Sequence, residues 1–203
     1  ADTAQRVFPG LAPVLADGLV IYCSNWGVVA ALDAGNGEVK WLVKYGRKRN
    51  AQARGDQPDW AENGVEVAMG QVVAAPQDSD CLFCFDVATG RMIGKPFPRV
   101  TDKLQYRYVA VLPEGRIALV SDKTAFIGAL DDPSHKLAKV DLQEPAIGRP
   151  LVDGEDLLVP GAKALYRVRI RGKKLEEFLR WPEKASGGIE LARIDGGLVA
   201  LTR

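Results

Sequence analysis

Residues Pro13 to Trp41 read PVLADGLVIYCSNWGVVAALDAGNGEVKW, and the alternation within this stretch decides the fold. Short strand-like runs, Leu11–Leu15, Leu19–Cys23, Val28–Leu32 and Glu38–Val43, alternate with three polar breaks. These are Ala16-Asp17-Gly18, Ser24-Asn25-Trp26-Gly27 and Asp33-Ala34-Gly35-Asn36-Gly37. Asp, Asn and Gly adopt the left-handed backbone that tight hairpin turns require, so the stretch predicts one four-stranded antiparallel unit.

The pattern recurs down the chain. A second copy is expected at Val65–Val67, Val72–Ala75, Cys81–Phe85 and Arg91–Phe97. A third is expected at Tyr108–Leu112, Arg116–Val120, Ala125–Leu130 and Leu137–Val140. A fourth follows at Arg149–Val152, Asp156–Val159, Ala164–Val168 and Lys174–Leu179. A fifth begins at Gly188. The fold class is therefore all-β, a β-propeller of four-stranded antiparallel blades at about 11–43, 65–97, 106–140 and 147–180, with a partial fifth over 188–203 and an insertion over 44–64. Both faces of Cys81-Leu82-Phe83-Cys84-Phe85 are apolar, as a sheet packed between two neighbours requires.

Composition is that of an ordinary globular chain. Of 203 residues, 47% are hydrophobic, and 27 Lys and Arg balance 26 Asp and Glu. With so little net charge there is no general field for nucleic acid, and no apolar run approaches the roughly 18 residues of a spanning helix. Neither a nucleic-acid partner nor membrane insertion is expected.

The Asp closing each third strand, at Asp33, Asp86 and Asp131, reads as a turn staple. Its carboxylate can accept from amides two or three residues on, while Gly37 or Gly90 supplies the left-handed residue. Trp41, on the fourth strand, can wedge its indole against the adjacent blade.

The quoted stretch resembles the PQQ-like repeat of the quinoprotein alcohol dehydrogenase-like propellers. The resemblance rests on Pro13, Asp17-Gly18, Ser24, Gly27, Ala31-Leu32-Asp33, Gly37-Glu38 and Trp41, and again on Phe85-Asp86-Val87-Ala88-Thr89-Gly90. That family includes quinone-dependent dehydrogenases, an outer-membrane assembly lipoprotein scaffold and sensor ectodomains. The resemblance implies a periplasmic or extracellular bacterial protein, with no signal in this chain, and a parent propeller of about seven or eight blades. The dehydrogenases hold their quinone with vicinal cysteines, a tryptophan floor and calcium; Cys23, Cys81 and Cys84 are never adjacent. No catalytic, cofactor-binding or metal residue is assigned. PQQ and calcium belong only to the alternative reading, a dehydrogenase propeller; a ligand-sensing ectodomain is a third.

Other chemistry-bearing residues read as structural. Cys81 and Cys84 are three apart on a strand and point to opposite faces, which suits core packing better than a shared metal. His135 lies in a polar turn, and Asp78 and Asp80 flank Ser79 without the remaining spacing of a calcium loop. Arg54-Gly55-Asp56 is a chance tripeptide. The basic run Arg167 to Lys174 alternates with Val168 and Ile170 and reads as a solvated face.

The long connection Lys44–Gly64 departs most from the repeat. In a four-stranded meander it leaves from the same end as the turn between strands two and three, so Trp26, Asp78 and Lys123 share its face. Trp26, Arg47, Arg49 and Trp60 have the aromatic and arginine content of a binding hot spot. Two readings stay open: a partner-binding face, or a Trp60 that pins the loop to its own blade. The expected partner is a protein or the remaining blades of a longer chain.

Overall fold

The computed structural model describes residues 12–47, 63–101, 104–185, 188–194 and 197–202. Arg49 and Trp60, the Arg-Gly-Asp tripeptide and most of the 44–64 insertion lie outside the described residues. The described residues hold strands and turns and no helix. They fall into two compact units, one through Arg99 and one from Val100 onward.

The first unit contains two blades. Strands β1 (Val14–Ala16), β2 (Leu19–Cys23), β3 (Val28–Asp33) and β4 (Val39–Lys44) form an antiparallel meander in chain order. Strands β5 (Glu66–Ala68), β6 (Gln71–Ala74), β7 (Cys81–Asp86) and β8 (Phe97–Pro98) repeat it. The fourth strand expected over Arg91–Phe97 is instead a single bridge, Phe85 to Met92, followed by the two residues of β8. Gly94, at a φ of 68°, lies in the interruption, and Pro96, which has no amide hydrogen to donate, follows it.

The second unit opens on a five-stranded sheet: β9 (Val100–Thr101), β10 (Leu104–Leu112), β11 (Arg116–Ser121), β12 (Thr124–Ala129) and β13 (Lys136–Asp141). A four-stranded sheet follows, with β14 (Leu151–Asp153), β15 (Asp156–Pro160), β16 (Ala164–Arg169) and β17 (Lys174–Arg180). It is succeeded by the hairpin β18 (Ile189–Ile194) and β19 (Gly197–Thr202). Four blades and a two-stranded fifth are thus present, and the fold is an all-β propeller fold.

Turn chemistry explains the hairpins. Between β1 and β2, Asp17 and Gly18 both have positive φ, 50° and 75°; between β5 and β6, Met69 and Gly70 do the same at 51° and 71°. Two consecutive left-handed residues match the twist of antiparallel strands, which is why this turn joins them so tightly.

The core of the first unit lies between its two blades. Ile21, Cys23, Val29, Ala31 and Trp41 from the first meet Val72, Ala74, Phe83, Phe85 and Val87 from the second. Trp41 donates its indole N–H to the Val87 carbonyl at 2.9 Å, and its ring lies over Gly90. A Cβ on Gly90 would stand 2.7 Å from Trp41 Cδ2 and Cε3, so the bare backbone there is what admits the ring.

Register also settles the turn staples. Asp33 pairs with Leu19, Asp86 with Gln71, and the corresponding partner of Arg116 is Ala129. The next residue donates its amide to the preceding glycine carbonyl in all three: Ala34 to Gly18, Val87 to Gly70 and Leu130 to Gly115. Asp131 is therefore not the counterpart of Asp33 and Asp86, correcting the reading from local order. Its blade has alanine at that position, and Asp132 instead accepts from the Ser134 amide at 3.1 Å.

Candidate functional site

The face with most functional content is built by three segments of the first unit. The turn after β2 begins with Ser24, whose hydroxyl donates to the Val28 carbonyl at 3.0 Å and accepts from the Trp26 amide at 3.1 Å. Asn25 and Gly27 take positive φ, 54° and 81°. This bend turns the Asn25 side chain inward, where its carbonyl accepts from the Gln77 amide at 3.1 Å, and leaves Trp26 outward, 50% exposed.

The segment after β4 runs back beneath this turn. Tyr45 donates its amide to the Gly27 carbonyl at 3.0 Å, and the Gly46 carbonyl accepts from the Ser79 hydroxyl at 2.7 Å. Tyr45 is buried and packs its ring at 5.2 Å from that of Phe83. Both segments converge on the turn before β7: the first meets Gln77, and the second meets Asp78, which is only 3% exposed. Its two carboxylate oxygens accept separately, one from the Tyr45 hydroxyl at 2.6 Å and the other from Arg47 Nε at 2.8 Å.

Arg47 is half exposed, and its guanidinium stands 5.6 Å from the centre of the Trp26 ring. Its stem fills the slot above Gly27, where a Cβ would meet Arg47 Cδ at 2.7 Å. The cation is thus held by a buried carboxylate on one side and an aromatic face on the other, which lowers the side-chain entropy it would lose on binding. The Gln77 side-chain oxygen, also buried, has no hydrogen-bond partner among the described residues. Burial, then neighbouring Cys23 and Asp78, keep the Tyr45 phenol protonated far above its usual range; burial likewise pushes the Cys23 thiol up.

Two of the four residues expected to bind a partner, Trp26 and Arg47, are therefore brought together on one face, with Asp78 beneath them. Lys123 occupies the related turn of the second unit, where its carbonyl accepts from Leu142. The anchoring residues Asn25, Tyr45, Gln77 and Ser79 were not distinguished in the sequence. Tyr45 and Asp78 are 33 residues apart, and nothing local announces their contact.

Elsewhere the polar groups are engaged structurally. Asp33 accepts from the Gly35 and Asn36 amides at 2.9 and 3.2 Å, and Asp86 from the Thr89 amide and hydroxyl at 2.9 and 2.7 Å. Hydrogen bonds from these turns hold both carboxyls below the usual range. The basic run is threaded with acids: Arg167 pairs with Asp153 at 3.1 Å, Arg169 with Glu176 at 2.9 Å and Arg171 with Glu155 at 2.6 Å. It therefore offers no free cationic stripe. Cys81 and Cys84 are free thiols, Cys84 pushed up to about 11 by burial. Among the described residues, no group of three or more His, Cys, Asp or Glu is placed to hold a metal ion, and no helix is long and apolar enough to cross a membrane.

No family model matches the chain, and no curated protein matches it in sequence. Solved structures do match in fold. BamB from Moraxella catarrhalis superposes with a TM-score of 0.61 at 16% identity, over 95% of this chain and 57% of that one. KlHsv2 with its loop 6CD replaced by a Gly-Ser linker gives 0.60 at 14% identity, over 95% of this chain and 62% of that one. The chain thus spans about three fifths of the structures it matches, and at these identities the likeness is one of fold: four-stranded antiparallel blades of a β-propeller.

Proposed function

We infer that the chain is a non-catalytic propeller that binds a protein partner through the Trp26–Arg47 face. One observation carries this reading: a half-exposed tryptophan stacked on an arginine whose other side is fixed by a buried aspartate. Such a pair presents a rigid apolar plate next to a fixed cation, the composition that dominates protein interfaces energetically. The fold likeness to BamB and the resemblance of the sequence to scaffold-containing propellers support a role in assembly rather than turnover, in the periplasm or outside a bacterial cell. A quinone enzyme is the less favoured reading, because no two cysteines are adjacent: Cys23 lies on β2, and Cys81 and Cys84 stand three apart on β7.

The test joins binding to activity. A photoreactive phenylalanine at Trp26, in the native cell extract, should give a discrete protein adduct, reduced at least tenfold by Arg47→Ala. Dye reduction with added quinone and calcium should stay at background. Calcium-dependent turnover, or an adduct indifferent to Arg47→Ala, would overturn the proposal.

A further inference from the structure

The Trp26–Arg47 face carries a donor set that is only partly used. Arg47 gives its Nε to one Asp78 oxygen at 2.8 Å, and the Tyr45 hydroxyl takes the other at 2.6 Å. Asp78 thus holds the arginine through a single atom. The two terminal amino groups of Arg47 have no hydrogen-bond partner among the described residues. The side chain is 50% exposed, and its guanidinium lies 5.6 Å from the Trp26 ring centre. A planar fork with two parallel N–H groups matches a carboxylate, which accepts from both at once.

Charge at the site favours the same occupant. Asp78 is already matched to Arg47, and Asp80, in the same turn, is partnered too. The sequence from 44 to 54 supplies Lys44, Arg47, Lys48, Arg49 and Arg54 and no acid, an excess of one sign that draws an anionic surface. The main chain narrows the choice further. Phosphate groups and chain-terminal carboxylates are taken up by clusters of free backbone N–H groups. Here the amides of Trp26, Tyr45, Gln77 and Ser79 are spent on Ser24, Gly27, Asn25 and Pro76. What the face offers an anion is therefore a side-chain fork beside an indole.

Resting on the protein-binding role of this face, we propose that it recognises a partner segment in which an Asp or Glu side chain seats on the terminal amino groups of Arg47. An apolar side chain on the same face of that segment covers Trp26. The 5.6 Å between guanidinium and ring sets the spacing. Residues i and i+2 of an extended strand stand about 7 Å apart, and i and i+3 or i+4 of a helix about 5–6 Å. An acid and an apolar residue about two to four positions apart meet that distance in either conformation.

The adduct formed at Trp26 in native cell extract supplies the probe. Its crosslinked segment is sequenced, made as a synthetic peptide and titrated calorimetrically against the full chain. The segment is expected to hold an Asp or Glu within about four positions of the crosslink. Replacing that acid by its amide should raise Kd about tenfold against the unaltered chain. The same replacement should change Kd less than about twofold against Arg47→Lys, which keeps a cation beside Asp78 but loses the fork. The first comparison needs no variant to fold. An Arg47-dependent adduct whose segment holds no acid, or whose amide peptide binds the unaltered chain equally well, would overturn the carboxylate assignment and leave the partner face standing. An equal loss against both chains would seat the acid away from Arg47 and overturn it as well, and no adduct at all would remove both.

Discussion

At Gly90 a left-handed backbone and a close aromatic contact coincide, and each alone penalises a side chain. Gly90→Ala places a methyl where Trp41 lies and forces alanine to a φ of 70°. A loss of about 2–4 kcal/mol follows from strain together with displacement of a buried indole, seen as a drop in the urea midpoint. Met69 offers the opposite case. It is 71% exposed and holds a φ of 51° at a position where the first blade has Asp17. Met69→Asn keeps the turn and removes part of the left-handed penalty, so stability should rise by about 0.5–1 kcal/mol; an unchanged or lower melting temperature would show the strain to be absent. Glycines at the turns were legible in the sequence because a left-handed residue has few alternatives. Asp131 is not legible in this way, because an aspartate before a turn looks the same whether or not its partner strand places it there.

Among elements, the connection leaving β4 does more than join blades. Its first three residues, Tyr45 to Arg47, tie the turn after β2 to the turn before β7 through Gly27, Ser79 and Asp78. Tyr45→Phe keeps the ring against Phe83 but leaves one oxygen of a buried carboxylate without its donor. Hydrogen bonds to charged groups are worth about 1.5–3 kcal/mol, so a loss in that range is expected; Arg47 keeps its own Asp78 oxygen, but with the carboxylate less firmly oriented partner adducts at Trp26 should weaken in parallel. Loss of stability without any change in the adduct would separate the two roles. Strand positions were readable from alternation and turn residues, and the four-blade count followed from them. The site was half readable: exposed Trp26 and Arg47 stand out by type, whereas the buried Asn25 and Gln77 stand 52 positions apart and meet only once the chain between them has folded.

For the molecule as a whole, the distribution of depressed carboxyls sets how stability responds to acid. Asp33 and Asp86 in the first unit, and Asp132, Asp141, Glu176 and Glu177 in the second, are all held below their ordinary range. Turn or strand hydrogen bonds and ion pairs are the main causes: Gly35 for Asp33, Thr89 for Asp86, Ser134 for Asp132, Lys139 for Asp141, Arg169 for Glu176 and Arg180 for Glu177. A group that is more acidic folded than unfolded contributes its full stabilisation above the unfolded value, roughly pH 4, and loses it as pH falls through the folded one. These carboxyls therefore predict no change in melting temperature between about pH 6 and 8, and a progressive fall from about pH 4 downward. Because both units carry such groups, amide exchange should accelerate in β3, β7, β13 and β17 over the same acid window. A melting temperature that rises on acidification, or exchange that accelerates in only one unit, would show that the turn carboxylates do not govern the response.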